Sequence, residues 1–202
     1  MLSSDYRVTA KLLDRKRLGK QRVEAKQIID ALSSMYILQG NEWISNPNPK
    51  GWINHPCSKM WMGYVPSLMV YFNIITQEWV DRGYKNNMEF YKLDLPRVEI
   101  QPPWTYWKEV HYSHMASLMR KDTRLYYDKL TYPYIYNLYG YLWPNKLADE
   151  LKTKLTNNES VDLSLICDPI STSVTDAEAR RREADKTFYY EVCMTQYTRD
   201  YK

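Results

Sequence analysis

The chain has 202 residues, of which 44% are hydrophobic and 26% are charged, which is enough for a folded domain with a buried core. This composition excludes a protein that is disordered throughout. The net charge is only +4, but seven of the 28 Lys and Arg residues fall between Lys11 and Lys26, beside two acidic residues. A local concentration of positive charge indicates an anionic partner.

The cysteines Cys57, Cys167 and Cys193 are odd in number, widely separated and not in C-x-x-C spacing. They predict neither a disulfide framework nor a zinc site, and we expect a reduced, intracellular protein of the cytoplasm or nucleus. The most apolar stretch, VPSLMVYFNII, is shorter than the ~20 residues that a membrane span needs. We therefore expect no membrane partner, and nothing in the sequence calls for a cofactor.

Apolar residues recur at helical spacing between residues 11 and 38, which predicts one long amphipathic helix with Gly19 as a place where it could bend. The Pro- and Gly-containing residues 41–55 predict an irregular loop. A second helix is predicted over 65–82, ended by Gly83.

A third helical segment, one helix or two shorter ones, is predicted over 104–130. The tyrosine-rich stretch at 132–144 has prolines near both ends and predicts an ordered aromatic loop. The composition then changes, and Thr175 is a suitable N-cap for a charged helix. We therefore predict a core over 1–145 and a C-terminal helical extension over 146–202, which could bind a protein partner.

The predicted first helix places Arg17, Gln21 and Glu24 along one line, with Lys20 one turn before Glu24. Glu24 thus lies at the edge of a basic surface. One interpretation is a solvated helix in which Lys20 and Glu24 form a weak ion pair. The other is a carboxylate held within a phosphate-binding surface, where it acts on a sugar or a base.

The segment GWINHPCSKMW, residues 51–61, places Asn54, His55 and Lys59 between Trp52 and Trp61. Aromatic rings interleaved with hydrogen-bond donors suit a nucleic-acid pocket, in which bases stack on the rings. A structural loop in which His55 caps the next helix is the alternative.

The segment HYSHMASLMRKD has two histidines at i and i+3, but no third metal ligand is apparent, so a metal site is not favoured. Phosphate contact is the simpler interpretation for four of its residues, His114, Ser117, Arg120 and Lys121. The tyrosines of the aromatic loop either pack or, as Tyr136 and Tyr139 could, stack on unpaired bases.

Four motifs, LDRKRLGKQRVE, GWINHPCSKMWMGY, EWVDRGY and SHMASLMRKD, together resemble the pyrimidine-dimer DNA glycosylases, whose founding member is phage endonuclease V. The likeness is greatest to a largely uncharacterised bacterial and viral branch and spans about residues 5–145. The resemblance implies an all-α fold with a compact three-helix core and long loops. It also implies a DNA partner, a duplex that contains a damaged or modified base. If the protein is viral, it could be associated with the virion.

The family carries a catalytic glutamate on its first long helix, six residues after a leucine, and Leu18 and Glu24 keep that interval. Glu24 is therefore the implied catalytic acid. The family nucleophile is the α-amine of a small residue exposed when the initiator methionine is removed. This chain begins Met1-Leu2, so the corresponding amine is that of Met1, and the lyase step depends on where that amine lies.

The sequence thus predicts a DNA-binding protein that excises damaged or modified bases in base-excision repair. A non-catalytic nucleic-acid-binding or virion-associated protein with the same fold is the alternative. The residues predicted to contact nucleic acid are Arg15, Arg17, Lys20, Gln21, Arg22, Asn54, His55, Lys59, His114, Ser117, Arg120 and Lys121. The predicted stacking residues are Trp52, Trp61, Tyr136 and Tyr139.

Overall fold

The computed structural model describes residues 1–93, 101–130 and 140–168, and these residues are mainly helical. They form two compact units. The first contains Met1, residues 3–106 and residues 143–148, and the second contains Leu2 and the described residues from 107–142 and 149–168. The predicted fold class is confirmed, and the predicted boundary at residue 146 stays a prediction.

The first unit opens with helix α1, Tyr6–Leu12, and helix α2, Arg15–Ser33. Two helices form here because Asp14 has extended backbone angles and its carboxylate accepts from the backbone N–H groups at the start of α2. The prediction of one helix over residues 11–38 is therefore wrong at both ends. The N-cap at Asp14 was the signal that a new helix begins there.

A β-hairpin follows α2, with strand β1 at Tyr36–Gln39 paired antiparallel to strand β2 at Glu42–Ser45. The connection is Gly40-Asn41, and Gly40 has a φ of +62°, a conformation that glycine adopts without strain. The prediction of an irregular loop over residues 41–55 is therefore wrong at strand β2. Five large apolar side chains of the hairpin are exposed: Tyr36, Ile37, Leu38, Trp43 and Ile44.

Helix α3 is short, Pro56–Met60, and helix α4 covers Val65–Asp81, which confirms the predicted second helix. Gly83 follows α4 with a φ of +80°. Helices α2 and α4 pack against each other around Leu18, Phe72 and Ile75, which are fully buried.

The packing of α2 against α4, rather than a bend in α2, explains why residue 19 is a glycine. Helix α2 continues through Gly19, and a Cβ atom there would lie 2.9 Å from Cζ3 of Trp79. Because real Cβ contacts are longer than this, only glycine lets the ring of Trp79 approach the α2 backbone so closely.

Arg82 fixes the end of α1 to the end of α4. Its Nη1 donates to the carbonyl of Leu13 at 2.7 Å, and its Nη2 donates to those of Ala10 and Lys11 at 3.0 and 3.1 Å. These carbonyls lie at a helix C-terminus, where backbone acceptors lack partners within the helix. Glu78 in turn holds Arg82 through a 2.7 Å ion pair.

The second unit contains helices α5, Lys108–Lys121, and α6, Thr123–Tyr126, and the later helices α7, Asp149–Thr156, and α8, Leu163–Ile166. The predicted third segment is thus divided at Asp122, and its first residues form a 3-10 turn, Pro103–Tyr106, that belongs to the first unit. The predicted helix after Thr175 lies outside the described residues. Among the helices that are described, none has the length and apolar content to cross a membrane.

Candidate active site and nucleic-acid surface

Helix α2 presents Glu24 where a substrate can reach it. The Glu24 side chain is 37% exposed, and its Oε1 lies 3.4 Å from Nζ of Lys20. Its Oε2 accepts a hydrogen bond of 3.1 Å from Nε2 of Gln21. The ion pair expected in the simpler interpretation is therefore present. This ion pair does not bury the Glu24 carboxylate, because the Lys20 side chain that makes it is 70% exposed.

Gln21 connects Glu24 to the interior of the first unit. Its Oε1 accepts a hydrogen bond of 2.7 Å from the hydroxyl of Tyr71 on α4. Tyr71 is only 3% exposed, and burial raises the pKa of its hydroxyl far above the ordinary value. The hydroxyl therefore stays protonated and remains a donor at any physiological pH.

The α-amine of Met1 has an environment that favours its neutral form. Burial lowers the pKa of the Met1 ammonium from 8.0 to about 6, and the Cys57 sulfur opposes this shift only in part. At neutral pH most of this amine is unprotonated. An unprotonated amine is the nucleophilic form that can attack a sugar carbon.

Cys57 relates this amine to Glu24. Burial raises the pKa of the Cys57 thiol to about 11, an effect that the Met1 ammonium opposes and the Glu24 carboxylate reinforces. The thiol thus lies within electrostatic range of both groups, and it is neutral at physiological pH. Glu24 is therefore the anionic member of a cluster in the first unit whose other members are a neutral amine and a neutral thiol.

The basic residues around Glu24 divide into exposed and engaged side chains. Arg15, Lys16 and Lys20 are exposed. Arg17 is only 19% exposed and pairs with Asp14 at 3.1 Å. In this conformation the exposed side chains, Arg15, Lys16 and Lys20, are the ones that can bind phosphates.

Arg22 is also engaged with the protein. Its Nη1 donates to Oδ1 of Asn86 at 2.6 Å, and its guanidinium lies 4.6 Å from the centre of the Trp79 ring. Arg15 lies similarly over the ring of Tyr84, at 5.0 Å. The predicted DNA contacts of Arg15, Arg17, Lys20, Gln21 and Arg22 stay predictions.

An aromatic cluster lies before α3. His55 is exposed and caps the helix by accepting from the backbone N–H of Cys57 at its Nδ1, so the structural role that was one of two alternatives is present. The ring of Trp52 lies 5.6 Å from that of His55 and is 65% exposed, as a stacking residue requires. Sequence reasoning did not single out Trp143, whose ring lies 6.0 Å from His55. Asn54 and Lys59 flank this cluster and are exposed.

Trp61 does not offer a stacking surface. It is 5% exposed, and its ring lies 4.9 Å from that of Trp104 and 6.1 Å from that of Tyr71. Tyr6 packs edge-on against Trp61 itself, at 6.5 Å, and against Tyr71, at 5.2 Å. The stacking role predicted for Trp61 is therefore not supported, because its faces are occupied by other side chains of the core.

In the second unit, helix α5 holds four of the predicted phosphate contacts. Ser117 is 4% exposed, donates to the carbonyl of Ser113 and accepts from Arg120, so it is a structural residue here. His114 bonds the carbonyl of Val110 through Nδ1, and burial lowers the pKa of its ring well below 6.5. A buried, neutral histidine does not suit a phosphate contact.

Lys121 is exposed and donates to the hydroxyl of Tyr141 at 3.0 Å. Among the residues that the structure describes, no three His, Cys, Asp or Glu side chains are grouped so that they could hold a metal ion. Tyr136 and Tyr139 lie outside the described residues.

The first unit thus has a partly exposed carboxylate, an amine whose pKa is lowered, and exposed cations on the helix that carries the carboxylate. Residues 2–92 match the family model described as pyrimidine dimer DNA glycosylase, which supports a DNA-repair, glycosylase-like function and a DNA substrate. The predicted resemblance is thereby confirmed, for the part of the chain that carries Glu24, the basic helix and Trp52. No curated protein and no solved structure is significantly similar to the chain.

Proposed function

We propose that the protein is a DNA glycosylase that removes a damaged or modified base, with Glu24 and the α-amine of Met1 as its catalytic groups. The observation that carries this proposal is that a partly exposed carboxylate and an amine whose pKa is lowered to about 6 by burial both lie within electrostatic range of the same thiol, Cys57. The family match over the same residues supports it independently.

Glu24 acts by charge. Cleavage of the bond between a base and C1′ develops positive, oxocarbenium character on the sugar, and a nearby carboxylate stabilises that charge. The hydrogen bond from Gln21 and the ion pair with Lys20 hold the carboxylate while leaving it 37% exposed.

The Met1 amine acts by forming a bond. Its nitrogen lone pair attacks C1′ as the C1′–N bond to the base breaks, and the base departs with the bonding electron pair. Loss of a proton from the nitrogen and opening of the sugar ring then give an imine between Met1 and C1′. The neutral amine that this step requires is the dominant form above about pH 6.

Binding and base displacement use other parts of the first unit. Arg15, Lys16 and Lys20 hold phosphates without reading sequence, and the exposed ring of Trp52 replaces the stacking that a displaced base has lost.

The experiment compares Glu24→Gln with Asp30→Asn in a gel assay of base excision. Glutamine keeps the volume of Glu24 and removes its charge, so we expect excision to fall by a factor on the order of 10² while DNA binding persists. Asp30 is the matched control, because it is an exposed carboxylate on the same helix that also pairs with a lysine, Lys26 at 2.5 Å. We expect Asp30→Asn to retain activity.

An active Glu24→Gln variant would remove Glu24 from the mechanism. A wild-type protein that binds DNA yet excises nothing from dimer, abasic or modified-base substrates would instead favour a non-catalytic nucleic-acid-binding role.

A further inference from the structure

The hydrogen-bond chain from Tyr71 through Gln21 to Glu24 has a fixed direction. The Glu24 carboxylate is an acceptor only, so the group of Gln21 that faces it must be the NH₂ group. The amide oxygen of Gln21 is thereby turned toward Tyr71 and must accept, so the Tyr71 hydroxyl must donate. Chemistry alone therefore sets the orientation of the Gln21 amide.

We infer that Tyr71 is a positioning residue for base excision, which acts through Gln21 to hold Glu24 in its working orientation. This inference rests on the proposed function of Glu24 and deepens it by adding two residues. Without the Tyr71 donor, the Gln21 amide is held by Glu24 alone and loses its link to the core, so it no longer fixes the position of the Glu24 carboxylate.

Tyr71 is held in place more firmly than a solvent-exposed tyrosine would be. Its ring is 3% exposed, packs edge-on against Tyr6 at 5.2 Å, and lies tilted against Trp61 at 6.1 Å. Trp61 is fixed in turn by Trp104, whose Nε1 donates to the carbonyl of Met60 at 2.9 Å. The buried tryptophan that does not stack on DNA therefore supports the residue that orients Glu24.

The test uses Tyr71→Phe, which removes one hydroxyl and keeps the ring. We expect the single-turnover excision rate to fall about tenfold at saturating protein, with DNA affinity unchanged, because the lost hydrogen bond orients a catalytic group rather than binding DNA. Gln21→Met should have the same effect, and combining the two should add nothing, since both break one chain.

Tyr6→Phe is the matched control. The Tyr6 hydroxyl is also buried and makes a hydrogen bond of 2.8 Å, but to Ser67 and not toward Glu24. Because Tyr6→Phe keeps the ring that packs against Tyr71, we expect it to leave the excision rate unchanged, even if it lowers the melting temperature as much as Tyr71→Phe does.

A second readout needs no substrate. In wild-type protein the side-chain NH₂ signals of Gln21 in a ¹⁵N NMR spectrum should move on Tyr71→Phe and on Glu24→Gln, and should not move on Tyr6→Phe. Unchanged Gln21 signals in Tyr71→Phe would overturn the inference whether or not the protein excises bases. An active wild type with equal rates for Tyr71→Phe and Tyr6→Phe would also overturn it, while leaving the proposed function intact.

Discussion

The buried α-amine of Met1 makes stability depend on pH in a way that can be worked out from the structure. Its pKa is 8.0 when exposed and about 6 in the folded protein, so between these values the unfolded chain binds a proton more readily than the native one. The free energy of unfolding therefore falls as the pH drops from 8 toward 6. Two pKa units correspond to a total of about 2.7 kcal/mol, of which roughly 1.5 kcal/mol is lost between pH 8 and 6.5.

An intact-mass measurement first establishes that Met1 is the terminal residue. Urea unfolding at pH 8 and at pH 6.5 then measures the loss in the free energy of unfolding. The control is the same protein acetylated on its α-amine, which no longer titrates. Buried His114 also destabilises the fold as the pH falls, since its pKa is lowered by burial. The difference between the two preparations reports the whole effect of the amine's charge. Equal losses in both would refute the conclusion that the amine is buried in its neutral form.

Three further results are expected. Replacing Arg15 and Lys20 by glutamine should weaken binding to every duplex and reduce the slope of log K against log salt by about 1.8. The same charge change at the partly exposed Lys152 and Lys154 should not alter the slope, and equal slopes would place the DNA elsewhere. Trp52→Ala should weaken binding to damaged or unpaired DNA more than to intact duplex, and equal losses would contradict a stacking role. Arg82→Met should lower the free energy of unfolding by about 3 kcal/mol in urea titrations, because it leaves the carbonyls at the end of α1 without donors, and a loss below 1 kcal/mol would contradict that role.

The sequence predicted the features that depend on local spacing. The line of Arg17, Gln21 and Glu24 follows from helical periodicity, and α2 places these residues as expected. The end of the second helix at Gly83 followed from the preference of glycine for positive φ. The helix N-cap at Asp14 and the hairpin connection at Gly40 are also local signals, but the apolar periodicity does not contain them.

The remaining features depend on contacts between residues far apart in the sequence. Trp52 and Trp61 are equivalent by composition, yet one ring is exposed and the other is enclosed by Tyr6, Tyr71 and Trp104. The hydrogen bond from Tyr71 to Gln21 joins positions separated by 50 residues. Burial of the Met1 amine is likewise a property of the folded chain, so the sequence alone left the identity of the nucleophile open.

The central claim is that the α-amine of Met1 attacks the sugar of the target nucleotide. Borohydride reduces the imine that this attack forms, and it joins protein and DNA covalently. Peptide mapping by mass spectrometry then locates the bond. We expect a cross-link at the α-nitrogen of Met1 whose rate of formation rises with pH through about 6 and then levels, as the neutral amine forms. A cross-link at a lysine, or excision without any cross-link, would contradict the claim.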